Sequence, residues 1–184
     1  MTLTIRKLAT AAAVVVGTAT TAIANPMVGG APMFANKHIV QNAVNSKDHT
    51  PLVAAVKAAD LVATLESKGP FTVFAPTNEA FAKLPAGTVD ALLKPEMKAT
   101  LTKILTCHVI AARLTVADIE RAAMKYGGAV TLDTVGGCKL TAMEKDGSLW
   151  LRDEKGGMSE VTIPDVMQSN GVIQVVNAVL LPAS

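Results

Sequence analysis

The chain reads as an α+β fold, and two changes of pattern carry that reading. Apolar residues recur at helical spacing through most positions up to Lys125, and from Ala129 onward they alternate in short runs separated by glycine or Asp-Gly turns. Between the early helices lies a strand-to-helix corner, Gly69 to Leu84, which reads GPFTVFAPTNEAFAKL and holds three of the four phenylalanines. Phe71 to Ala75 is a β-branched and aromatic run bounded by Gly69-Pro70 and Pro76, the pattern of an interior strand. Thr77 offers a capping oxygen and Glu79 a carboxylate in the first turn, so a helix starts at Asn78. Phe81 and Leu84 lie three apart and turn back onto the strand.

In chain order, Arg6 and Lys7 precede an apolar run from Leu8 to Ala24 that ends in Ala22-Ile23-Ala24. Basic start, apolar middle and small-residue end are the three parts of a signal peptide, expected over residues 1–24. The alternative is an uncleaved anchor, for which four threonines and a glycine make the run a poor span. Cleavage before Asn25 leaves 184 − 24 = 160 residues with no integral membrane span, and no cysteine lies near the cut to carry a lipid. Residues 25–35, with two prolines and two adjacent glycines, are expected to be a flexible, extended lead-in to a single domain over 36–184.

Ile39, Val40, Ala43 and Val44 repeat at helical spacing. Thr50-Pro51 restarts a helix as cap and first residue, and Leu61, Val62 and Leu65 carry a third helix towards Gly69. After the corner come a capped turn at Thr88 to Leu93, a longer helix over Pro95 to Leu105, and a strand over Cys107 to Ile110. Thr115-x-x-Asp118 is a variant capping box that opens the last helix. Ala129 to Thr134, Lys139 to Lys145, Ser148 to Asp153, Met158 to Ile163 and Val172 to Val176 are short strands, with Asp146-Gly147 the clearest hairpin turn.

Charge excludes two partner classes. The precursor carries 17 basic and 15 acidic residues, and removal of Arg6 and Lys7 with the signal leaves 15 against 15. A balanced chain without a basic block has no electrostatic footprint for nucleic acid or anionic membrane. With an aromatic content of 3%, aliphatic residues must fill the core.

The corner resembles the first signature motif of the fasciclin domain, usually close to GPFTVFAPTNEAF. Asn170-Gly171-Val172-Ile173-Gln174-Val175-Val176-Asn177-Ala178-Val179-Leu180-Leu181-Pro182 is similar to that domain's closing motif, more often NGVIHVIDxVLLP. Leu105 to Ile110 resembles its central Tyr-His segment, with Cys107 in the tyrosine position. Three motifs in order cover roughly residues 36 to 182. The resemblance implies a wedge-shaped domain with a seven-stranded β-sandwich-like core and helices packed along it. It also implies a secreted, non-catalytic binding module for cell-surface or extracellular-matrix adhesion, with a protein or glycan as partner. A periplasmic small-ligand carrier and a structural envelope protein are the alternatives. Single-domain members lacking Asn-x-Ser/Thr sites, as here, look bacterial.

No catalytic, cofactor or metal site emerges from the pattern. The serines lack a G-x-S-x-G elbow, and His38, His49 and His108 make no ligand spacing with Cys, Asp or Glu. His108, linked through the family's Tyr-His segment to cell binding in animal members, is read first as structural, pointing opposite to Cys107 on a strand with one ring nitrogen bonded to backbone. Cys107 and Cys138 are the only cysteines, and in an exported chain they are expected to pair. Two buried thiols or a redox pair are the other readings, the latter without a Cys-x-x-Cys spacing. Gln174 and Asn177 depart from the family's usual His and Asp. Phe71, Phe74, Pro76, Thr77, Asn78, Phe81, Gly171 and Pro182 are read as structural motif residues. Binding is expected on loops, at Ala111 to Thr115 and Pro164 to Asn170, with Arg113 and Asp165 as contacts.

Overall fold

A computed structural model describes residues 25–183, and the signal peptide expected over 1–24 lies outside the described residues. The architecture is α+β, as the pattern predicts. Helices α1 (Ile39–Ala43), α2 (Thr50–Ala58) and α3 (Val62–Glu66) lead into β3 (Phe71–Pro76), followed by α4 (Asn78–Ala82), α5 (Thr88–Leu92) and α6 (Lys98–Thr106). Strand β4 (Val109–Ile110) and α7 (Val116–Lys125) precede an antiparallel run of β5 (Ala129–Asp133), β6 (Lys139–Lys145), β7 (Ser148–Arg152) and β8 (Met158–Gln168), and β9 (Gly171–Val176) closes the chain.

The stretch expected as a flexible lead-in is folded. Met27–Val28 (β1) and Ala31–Pro32 (β2) form a hairpin that sinks Val28 and Met33 into the core. Four exposed or half-exposed residues hide this from the sequence, because a two-residue strand has no period to read. Thr50 is already helical, and its backbone N–H reaches Asn78 Oδ1 at 3.1 Å. Gly87, not Thr88, caps α5.

The seven main strands are ordered β4-β3-β9-β8-β7-β6-β5. Strand β3 thus lies inside the sheet, paired antiparallel to β4 and parallel to β9 in the register Phe71↔Gly171 through Pro76↔Val176. This pairing joins the opening and closing motifs, and it needs glycine at 171, where an added Cβ would collide with the Phe71 carbonyl. Both strands are buried on both faces, as parallel strands require. Val73, Ala75, Ile173 and Val175 face the helices, joining Leu52, Leu65 and Leu105 in one cluster. Phe74 and Val176 face the other way, into a second cluster with Ile119, Leu140, Leu149 and Leu151 beneath α7. Period two distributes one strand pair between two cores.

Strand β8 runs on past Ile163 to Gln168, further than its sequence pattern suggests, and changes register at Ile163 and Val166. Pro164, which has no N–H to give, and Asp165, with φ 54°, sit in this irregularity. The bend curls the sheet until its two edges nearly meet. There the β5–β6 turn docks on the end of α6: Val135 N–H donates to Val109 O at 2.7 Å and Gly136 N–H to Thr106 O at 3.0 Å. An added Cβ at Gly136 would stand 2.8 Å from Cys107 N, so only glycine permits this approach. Cys107 and Cys138 are joined as a disulfide across the junction, with Cα atoms 5.3 Å apart. The pairing is as expected, but Cys107 caps α6 and Cys138 lies in a turn, so the bond links a helix end to a loop and not two adjacent strands.

Phe74 is fully buried in the second cluster. Phe74→Ala should therefore cost about 3–5 kcal/mol in urea denaturation. A variant with the parent's midpoint would contradict the two-core assignment of β3.

Candidate functional site

His108 lies between α6 and β4 and is 2% exposed. Its Nε2 accepts the Leu180 N–H at 2.9 Å, which leaves the proton on Nδ1 to be donated to Ile104 O at 2.8 Å. Burial pushes its pKa down to about 4, against smaller raising effects from the Ile104 carbonyl and the Asp153 charge. Both ring nitrogens are engaged with backbone, so the imidazole connects α6 to the C-terminal segment from a turn and not from the strand expected over Cys107 to Ile110.

His108 is one of several side chains that tie down the C-terminal segment. Ser159 Oγ accepts Ala178 N–H and donates to Ala178 O, Asp153 Oδ2 accepts Leu181 N–H at 2.9 Å, and Glu154 Oε2 accepts Ala183 N–H at 3.0 Å. Amide donation holds the Glu154 carboxyl below its usual range. Pro182 is buried at the end of this tether.

The loop residues expected to bind are largely tied to the fold. Asp165 Oδ1 accepts from Val116 N–H at 2.9 Å and from Gln174 Nε2 at 2.8 Å, while Asp165 N–H donates to Gln174 Oε1. Asp165, half-exposed and expected as a contact residue, therefore also holds the start of α7. Arg113 is exposed, but its Nη2 donates to the Gln168 and Ser169 carbonyls, which ties the 111–115 loop to the β8–β9 turn. The segment Pro164 to Gln168 belongs to a strand, not a loop. Gln174, fully buried, and Asn177, bonded to Glu160, fill the departures from the family pattern with local hydrogen bonds.

The motif residues sit around the strand-to-helix corner. Thr77 caps α4 by accepting Ala80 N–H, and Asn78 links that cap to Lys47 O and Thr50 N–H. Phe81 and Phe71 pack against the helix-facing cluster, and Pro76 is buried. Asn170, which opens the closing motif and ends the segment expected to bind, is 3% exposed. Its Oδ1 accepts Ile39 N–H while Nδ2 donates to Leu65 O and Ser67 O, so one buried side chain joins the start of α1 to the end of α3. Its place beside an obligatory glycine was the available signal.

Two concavities flank the helices. A slot of about 60 Å³ runs beneath α1, α2 and α3, and His49, whose pKa burial lowers, lies in its wall. A wider cleft of about 290 Å³ opens between α4, α5, α6 and the C-terminal segment. Among the described residues no group of three His, Cys, Asp or Glu side chains is placed to hold a metal, and no helix is long and apolar enough to cross a membrane. On the outer surface Met124 and Tyr126, at the end of α7, are 73% and 69% exposed.

The fasciclin domain family model matches residues 47–182. The chain belongs to the fasciclin domain family. Protein sll1483 of Synechocystis is 48% identical over 144 residues, covering 78% of this chain and 73% of the relative. Immunogenic protein MPB70 of Mycobacterium bovis is 35% identical over 145 residues, covering 76% of this chain and 66% of that protein. Among solved structures, a FAS1 domain pair from the insect cell adhesion molecule fasciclin I matches with TM-score 0.70 at 20% identity, over 79% of this chain and 51% of that one. This likeness is one of fold.

A histidine whose folded pKa lies below its unfolded value stabilises the fold fully above about pH 6.5 and loses that contribution as pH falls towards 4. For His108 the loss is on the order of 3 kcal/mol. Urea denaturation at neutral pH and near pH 4 should show a smaller drop for His108→Gln than for the parent, the remainder coming from His49 and the carboxylates. Equal drops would contradict the neutral, doubly bonded imidazole.

Proposed function

We propose that the chain is exported as a mature protein beginning at Asn25 and works without catalysis, contacting a protein or glycan on a cell surface or in an extracellular matrix. Family membership supports the adhesion-type reading, since fasciclin I is a cell adhesion molecule built from such domains. The basic start, apolar middle and Ala22-Ile23-Ala24 end of residues 1–24 support export.

The observation that carries the reading is the placement of the chain's single tyrosine. Only 3% of residues are aromatic, yet Tyr126 is left exposed beside Met124. Burial of an aromatic ring is among the largest apolar contributions available to a small core. Tyrosine on a rigid surface suits recognition, because its ring offers apolar area and its hydroxyl a hydrogen bond at low entropic cost. The contact face is therefore the end of α7. Arg113 remains an exposed charge from the original expectation, while Asp165 supports the scaffold.

Retention of the exported chain, its first residue checked by intact mass, should be measured on cells, matrix proteins and glycan arrays. The paired variant Met124→Ala with Tyr126→Ala should keep the parent's melting temperature and bind about tenfold more weakly. Moderate salt should change binding little, because the mature charge is balanced. Absence of saturable binding by the parent, or equal binding by the variant, contradicts the proposal.

A further inference from the structure

The cleft beside the C-terminal segment is lined by Phe81, Leu84, Leu92, Val179 and Leu181, of which Phe81 and Leu92 pack only in part against the helix-facing cluster. From Phe81 to Thr100 no residue is fully buried, although the stretch contains Phe81, Leu84, Val89, Leu92, Leu93 and Met97. Helix α5 buries none of its five residues. A segment this apolar, left half-exposed around a concave opening, presents surface that an occupant would remove from water.

The chemistry of the walls selects the occupant. The cleft is apolar except for Thr88, His108 and Lys155, and both His108 nitrogens are already bonded. Lys155 is exposed at the edge, and it forms no ion pair among the described residues. No acidic residue lines the cleft. The neighbouring carboxylates are turned to other work: Asp153 accepts Lys155, Gly157 and Leu181 N–H groups, and Glu154 accepts Lys139 and Ala183 N–H groups. The volume, about 290 Å³, lies near the lower edge of the roughly 300–1,000 Å³ range of small-molecule pockets. A single narrow aliphatic chain suits that space better than a ring system or a lipid with two tails.

We propose that this cleft binds a medium-chain fatty acid, the tail lying between Phe81, Leu84, Leu92, Val179 and Leu181 and the carboxylate meeting Lys155. The site is separate from the α7 surface, so it stands or falls independently of the adhesion reading. Because one wall is the segment held by His108, occupancy also couples to the closure of the fold.

Titration calorimetry of the mature chain with decanoate, kept below its micelle concentration, tests the proposal. One saturable site is expected, with amide chemical-shift changes concentrated at Leu84 to Leu92 and Val179 to Leu181. Each methylene removed from the probe should weaken binding by about fourfold. Lys155→Glu, an exposed substitution that leaves the melting temperature unchanged, should weaken decanoate by about fivefold and favour decyltrimethylammonium instead. The proposal is overturned by the absence of saturable binding, by a Lys155→Glu variant that binds decanoate as the parent does, or by shift changes confined to α1, α2 and α3.

Discussion

The meeting of the two sheet edges is the constraint on which the rest of the molecule depends. A seven-stranded sheet left open would expose β4 and β5 as its edges, and edges invite pairing with other chains. Here the bend in β8 brings the β5–β6 turn back onto the end of α6, where Val135 and Gly136 donate to Val109 and Thr106 and the Cys107–Cys138 bond spans the gap. In the loop-entropy account, a disulfide closing some thirty residues contributes about 3–4 kcal/mol. That is a large share of the stability of an ordinary domain. Cysteine in the family's tyrosine position thus places a covalent tie at the closure point.

His108 lies directly beside that tie. With α6 ended at Cys107, His108 is carried into the interior, where its two ring nitrogens connect α6 to the C-terminal segment. The same segment then forms one wall of the apolar cleft. Elsewhere the helices are too short to hold themselves, since α1 and α3 have 5 residues, α2 has 9 and α7 has 10, below the length of about 12–15 residues at which isolated helices form. Distant polar side chains compensate: Asn170 joins α1 and α3, Asn78 fixes the start of α2, and Asp165 with Gln174 holds the start of α7. Removing Asn170 leaves the buried Ile39 amide without a partner, which costs more than a surface hydrogen bond returns.

Much of the fold was legible in the sequence where a residue has one physical option. Pro76 after a β-branched run, Thr77 before Asn78, and Asp146-Gly147 between alternating strands each fix a boundary, and the structure has those boundaries. Features set by long-range geometry were not legible. The hairpin at Met27 to Pro32 is too short to show a period, and Cys107 ends a helix because the sheet edge meets it there. The alternating pattern ends at Ile163, but β8 continues through Pro164 across its irregularity. The surface was hardest. Asp165 and Tyr126 are both polar-capable residues near element ends, and only the hydrogen-bond partners of one and the exposure of the other separate a scaffold role from a contact role.

Native-state hydrogen exchange before and after reduction of Cys107–Cys138 tests the closure most directly. If the edge junction is the constraint proposed, reduction should collapse protection at the Val135, Gly136 and Leu180 amides towards that of open loops. The β3–β9 amides of Ile173 and Val175 should remain strongly protected. Unchanged protection at Val135 and Gly136, or a uniform loss across both regions, would contradict the account.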